Sequence, residues 1–197
     1  MKLLTLLILF ICSSSFAQTN NYQNLLDTAL RGHGSSFLHT TPIKVTRLDR
    51  KDLWYYFENV RDYSNQKLDT VMFSQIIQNS KGTDTTLWTD NELPNFILIN
   101  ERAETVSKKY VIQKFKVTDQ KQIKHFTKYV NKFNSTDTSE RIVCYYSRPI
   151  FDNSKTFAII EWDNGHGYLG GGGGIILYQL QGDNTWKDFG VILNWRY

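Results

Sequence analysis

Ile142-Val143-Cys144-Tyr145-Tyr146, Thr156-Phe157-Ala158-Ile159-Ile160-Glu161-Trp162, Ile175-Ile176-Leu177-Tyr178-Gln179-Leu180-Gln181 and Trp186 to Asn194 are four apolar or aromatic runs in the last third of the chain. Each has strand length and is enriched in β-branched and aromatic residues. Asp152-Asn153-Ser154 and Gly182-Asp183-Asn184 separate two of the junctions, and short polar turns of this kind join antiparallel neighbours. The third junction is the glycine loop Asn164-Gly165-His166-Gly167-Tyr168-Leu169 followed by Gly170 to Gly174. Five consecutive glycines lose much backbone entropy on ordering, so an ordered loop here implies geometry that side chains would forbid. It reads as a wide or bulged hairpin loop. Arg148-Pro149 marks a bend or an edge, because proline cannot donate to a ladder.

Upstream, the pattern turns helical. Leu25, Leu26 and Leu30 lie at helical spacing within Tyr22 to Arg31, and Gly32 supplies a stop. Asp69 can cap a helix through Asn79 with Met72, Phe73, Ile76 and Ile77 on one side. Thr118 or Asp119 can cap another, running to about Phe133. Its apolar stripe is Ile123, Phe126, Val130 and Phe133; a second stripe holds Lys121, Lys124, Lys128 and Lys132. The lysines read first as a solvated face, with an anionic partner as the functional alternative. Ile43 to Leu48, Phe96 to Asn100 and Lys109 to Val117 read as strands, and Leu53 to Val60 fits a helix or a strand equally well. The expectation is an α+β single domain, its C-terminal antiparallel β-meander packed against helices.

The N-terminal segment points to export. Lys2, the apolar stretch Leu3 to Ile11 and Ser15-Phe16-Ala17 before Gln18 form a signal-peptide pattern, so residues 1–17 read as a leader and 18–197 as the domain. The apolar stretch is too short to span a bilayer, and no later segment reaches the roughly 20 apolar residues a spanning helix needs. A periplasmic or extracellular location is expected. Cys12 follows the bulky pair Phe10-Ile11, which disfavours lipidation. Removal of the leader takes Lys2 and Cys12 away. The net charge of +4 then falls by one, too small to argue for nucleic acid, and Cys144 has no intramolecular disulfide partner. Asn134-Ser135-Thr136 is a formal sequon that matters only in a eukaryotic host.

Few motifs carry chemistry. A nucleotide-binding glycine loop needs Lys and Ser or Thr at the start of a helix, whereas Gly174 leads into an apolar strand. The backbone amides of Gly170, Gly171, Gly172, Gly173 and Gly174 are a candidate nest for a small anion, with Tyr168 at the loop tip as the aromatic contact. Glu161 and Asp163 are two apart on one strand and share a face, with His166 close behind, so they are the candidate catalytic or metal-ligating group. Local carboxylates beside a turn are more often solvent-facing. His33 and His39 join them only if the fold brings them together. Cys144 reads as a buried small hydrophobe. No Gly-x-Ser-x-Gly or His-Glu-x-x-His pattern is present. The many aromatic residues, Trp195 and Tyr197 among them, suit sugar stacking or a protein partner.

Ser147-Arg148-Pro149-Ile150-Phe151, Ala158, the glycine loop and Trp186-Lys187 together resemble the C-terminal region of an uncharacterised family of small exported bacterial proteins. Trp88 and Leu93-Pro94 are upstream echoes. Relatives in that family often carry loop cysteines, where this chain has glycine, Tyr168 and Leu169. The resemblance implies an envelope location and the α+β fold, and it carries no catalytic residue. The reading that follows is a non-catalytic binding or accessory module for a glycan or envelope protein, with no cofactor and no metal. The competing reading is a hydrolase using Glu161, Asp163 and His166.

Overall fold

A computed structural model of the protein describes residues 22–31, 37–48, 55–56, 60, 69–82, 84–166 and 170–197. The leader 1–17, the Gly32 stop, His33 and Tyr168 lie outside the described residues, as does the side chain of His166. The elements run α1 (22–29), β1 (Phe37–His39), α2 (Thr70–Ser80), β2 (Ile97–Ile99), α3 (Lys108–Lys114) and α4 (Gln120–Ser135). After a 3-10 turn at Thr138–Glu140 come β3 (Val143–Tyr146), β4 (Ile150–Phe151), β5 (Phe157–His166), β6 (Gly170–Leu180) and β7 (Trp186–Arg196). One mixed sheet has the order β2-β1-β3-β5-β6-β7, with β4 paired to β5 beside that path. The short pairs β1–β2 and β1–β3 are parallel and the remainder are antiparallel. This is an α+β domain with the C-terminal meander the sequence predicts.

Side chains alternate across the sheet and each face finds its own cover. Leu38, Cys144, Tyr146, Ala158, Ile160, Ile176 and Tyr178 point to one face, where Leu25, Leu26, Ala29 and Leu30 of α1 cover them with Trp88 and Leu93. Ile159, Ile175, Leu177 and Ile192 point to the other, against Met72, Phe73, Ile76 and Ile77 of α2 and Val45 and Leu48. On that second face, Phe37, Ile97, Ile99 and Val143 are covered by Val111 of α3 and Val130 and Phe133 of α4. Capping follows the sequence. The Asp69 carboxylate accepts from Val71 N–H at 2.8 Å and Asp119 from Gln122 N–H at 2.9 Å.

Three expectations are corrected. Lys109 to Val117 reads as a strand but folds as helix α3, because Ser107 caps it and a helical turn brings Val111 into the core while Phe115 stacks on Phe126 at 5.0 Å. Alternation of Tyr110, Ile112, Phe115 and Val117 is compatible with both periods over so short a stretch. Ile43 to Leu48 forms no strand. It makes one backbone bond to the sheet, Ile43 N–H to Tyr146 O at 3.1 Å, and buries Val45 and Leu48 as it crosses a face; the edges of β3 are already occupied by β1 and β5. In the ambiguous stretch 53–60, the described residues 55, 56 and 60 are helical.

The third correction concerns the glycines. Gly170 to Gly174 are the first half of β6, paired residue by residue with Glu161 to His166, so the hairpin connection shrinks to three residues, 167–169. The Asp152 turn stands as expected. The Asp152 carboxylate accepts from the N–H groups of Thr156 and Phe157, each at 2.9 Å.

Candidate functional site

The glycines are in a strand because aromatic rings take the room their side chains would fill. On the face that holds Asp163, a Cβ on Gly173 would lie 2.5 Å from Trp195 Cε2 and 2.5 Å from Trp162 O. Gly173 pairs with both Asp163 and Trp195. The indole therefore leans across the bare strand, and its Nε1–H donates to Asp163 Oδ2 at 3.3 Å. Tyr197 leans over Gly171 in the same way and donates its hydroxyl to Asp163 Oδ2 at 2.6 Å. Gly171 also has a φ of +130°, which excludes other residues. The Arg47 guanidinium lies 3.7 Å over the outer face of Trp195.

Glu161 is on this face too, 5% exposed, and its Oε2 has no hydrogen-bond partner among the described residues. Burial pushes its carboxyl up to about 7, with Asp163 adding to the rise and Arg47 opposing it. The sequence-predicted pair thus does share a face. Glu161 is closed off from solvent, and Asp163 is held by the two C-terminal rings. Among the described residues no group of His, Cys, Asp and Glu is placed to hold a metal ion. His39 stacks on Tyr145 at 5.0 Å and its Nδ1 accepts from Thr41 N–H at 3.1 Å, so it is oriented by local structure.

The opposite face of the glycine strand is open. Trp162, Asn164, Asn194 and Arg196 alternate onto it from β5 and β7, because Trp162 and Asn194 both pair with Gly174, and Asn164 and Arg196 with Gly172. They line a groove of about 660 Å³ floored by Gly171, Gly172 and Gly173. Trp162 Nε1 would stand 3.1 Å from a Cβ on Gly174, so the indole lies along the strand. Asn164 Oδ1 accepts from Gly172 N–H at 3.0 Å and holds the floor to the wall. Asn194 and Arg196 are exposed. The groove offers an aromatic ring, two amides and a guanidinium over a floor without side chains. Such a surface can stack on and hydrogen-bond to a ligand; it contains no nucleophile or base.

Sequence reasoning found the glycine floor and missed its walls. Asn164 is two residues from Trp162, and Asn194 two from Arg196, so alternation places each pair on one face. Only the register of β5, β6 and β7 brings the two pairs together.

The residues of the exported-family resemblance occupy structural positions. Arg148, 7% exposed, stacks 4.1 Å over Trp88, pairs with Glu92, and donates to Tyr22 Oη and the carbonyls of Thr86 and Leu87. Ser147 Oγ accepts from Glu161 N–H at 2.9 Å. Ala158 and Trp186 are in the same core. Compared with known proteins, the chain matches no protein-family model, no curated protein and no solved structure.

Proposed function

We propose that the protein is an exported, non-catalytic binding module whose ligand is a glycan held in the groove above the glycine strand. The observation that carries this reading is the composition of the groove: Trp162 against Gly174, with Asn164, Asn194 and Arg196 around a floor of bare backbone. An indole presents an apolar face suited to the C–H side of a sugar ring, and amide and guanidinium groups match its hydroxyls. Arg196 adds a preference for saccharides bearing a carboxylate. Export rests on the leader pattern of residues 1–17 and on the resemblance to small exported bacterial proteins. No described helix is long and apolar enough to cross a membrane.

The hydrolase reading is less well supported. An acid or base has to reach its substrate, whereas Glu161 is buried and Asp163 is engaged by Trp195 and Tyr197. A glycan array followed by titration calorimetry on residues 18–197 tests the proposal. Asn194→Ala and Arg196→Ala are exposed changes that leave the fold intact and should each weaken the best glycan about tenfold, the effect of one lost hydrogen-bonding group. A glycan that binds equally well to both variants sinks the assignment, and so does a chain that binds none.

A further inference from the structure

Helix α4 carries Lys121, Lys124, Lys128 and Lys132, all exposed, and has no Asp or Glu between Gln120 and Ser135. Spacings of three, four and four residues keep the lysines within about 80° of arc and spread them over about 16 Å of helix. The apolar side of α4 is already used, with Val130 and Phe133 in the core. What remains outward is therefore a row of one charge sign equal to the net charge of the whole chain, +4.

The row ends at an apolar groove. Lys132 lines both. The groove, about 300 Å³, runs along the C-terminal end of α4 and is lined by Phe37, Tyr129, Phe133 and Ile142. Phe37 stacks on Phe133 at 3.8 Å and on Tyr129 at 5.1 Å, forming a flat aromatic floor. Ile142, 45% exposed, stands at its rim. Arg141 spends its guanidinium on the carbonyls of Thr136, Arg102, Glu104 and Asn134, which fixes the rim in place. Glu140 is the acidic residue in the lining.

We propose that this face docks the protein onto an anionic lipid bilayer, the lysine row lying on the headgroups and the groove with Ile142 reaching the acyl boundary. Charge complementarity identifies the occupant. A soluble polyanion would satisfy the lysines but leave the aromatic groove and Ile142 without a partner; an acidic lipid surface satisfies both. The face lies on α4 and β1, away from the groove above β6, so the two bindings are independent.

The test is sedimentation of residues 18–197 with phosphatidylcholine vesicles, with and without about 30% phosphatidylglycerol, a fraction that gives a strongly negative surface. Binding should require the anionic lipid and weaken steeply with salt. Lys124→Gln combined with Lys128→Gln should lower partitioning about 25-fold, near fivefold for each lysine. Ile142→Ser should lower it about fivefold with the salt dependence unchanged. Equal binding to neutral vesicles, or a double lysine variant that binds like the parent, overturns the proposal. So does an Ile142→Ser variant without effect alongside full competition by heparin, which would assign the face to a soluble polyanion.

Discussion

Replacement of Glu161 by Gln tests the electrostatics of the sheet most directly. The carboxyl is buried on the face crossed by Trp195 and Arg47, and it titrates near 7 in the folded protein against 4.5 for an ordinary Glu. Between those values the native state holds a proton that the unfolded chain has released. Stability attributable to this group is therefore fully present below about pH 4.5 and falls as pH rises through 7. At about 1.4 kcal/mol per pH unit the ionised carboxylate costs about 3 kcal/mol at pH 8. Gln keeps the shape and cannot ionise. Urea unfolding of parent and Glu161→Gln at pH 4.5, 6, 7 and 8 should show near-equal stability at the lowest pH. The variant should lead by about 3 kcal/mol at the highest. Every other group titrates alike in both proteins, so the difference isolates residue 161. A gap that stays constant with pH would refute the reasoning, because it would mean that the carboxyl is not held protonated by its surroundings.

Gly173→Ala should destabilise by about 3 kcal/mol, since its Cβ meets Trp162 O and the Trp195 ring at 2.5 Å and neither has room to retreat. Gly174→Ala, whose nearest atoms are at 3.0 and 3.1 Å, should cost about 1 kcal/mol, and thermal melts followed by tryptophan fluorescence separate the two. Arg148→Ala should cost about 3 kcal/mol by leaving Glu92 and the Thr86 and Leu87 carbonyls without their donor. Arg148→Lys should recover less than half of that, because one ammonium cannot replace a planar fork stacked on Trp88; a lysine variant that melts with the parent would contradict the account.

Local signals decided the parts of this fold whose energetics are local. The caps Asp69 and Asp119, the apolar stripes of α2 and α4, the Asp152 turn and the four C-terminal strands all depend on residues within a few positions of one another. Helix α3 escaped because its period was ambiguous over seven residues, and burial of Val111 against α4 decided it. Ile43 to Leu48 escaped because a strand needs a free edge as well as an alternating pattern.

The sequence by itself determined the α+β class, the C-terminal meander, the shared face of Glu161 and Asp163, and the glycine run as the place to look. Tertiary structure alone decided what the glycines do. Whether such a run is a loop or a strand depends on what lies across it, and here that is Trp162, Trp195 and Tyr197, contributed by neighbouring strands and the C-terminus. Register then sets Asn164 and Trp162 opposite Arg196 and Asn194 on one side, and draws Trp195 and Tyr197 to Asp163 on the other. Contacts between residues some 30 positions apart are fixed by strand pairing, and no local pattern encodes a pairing partner.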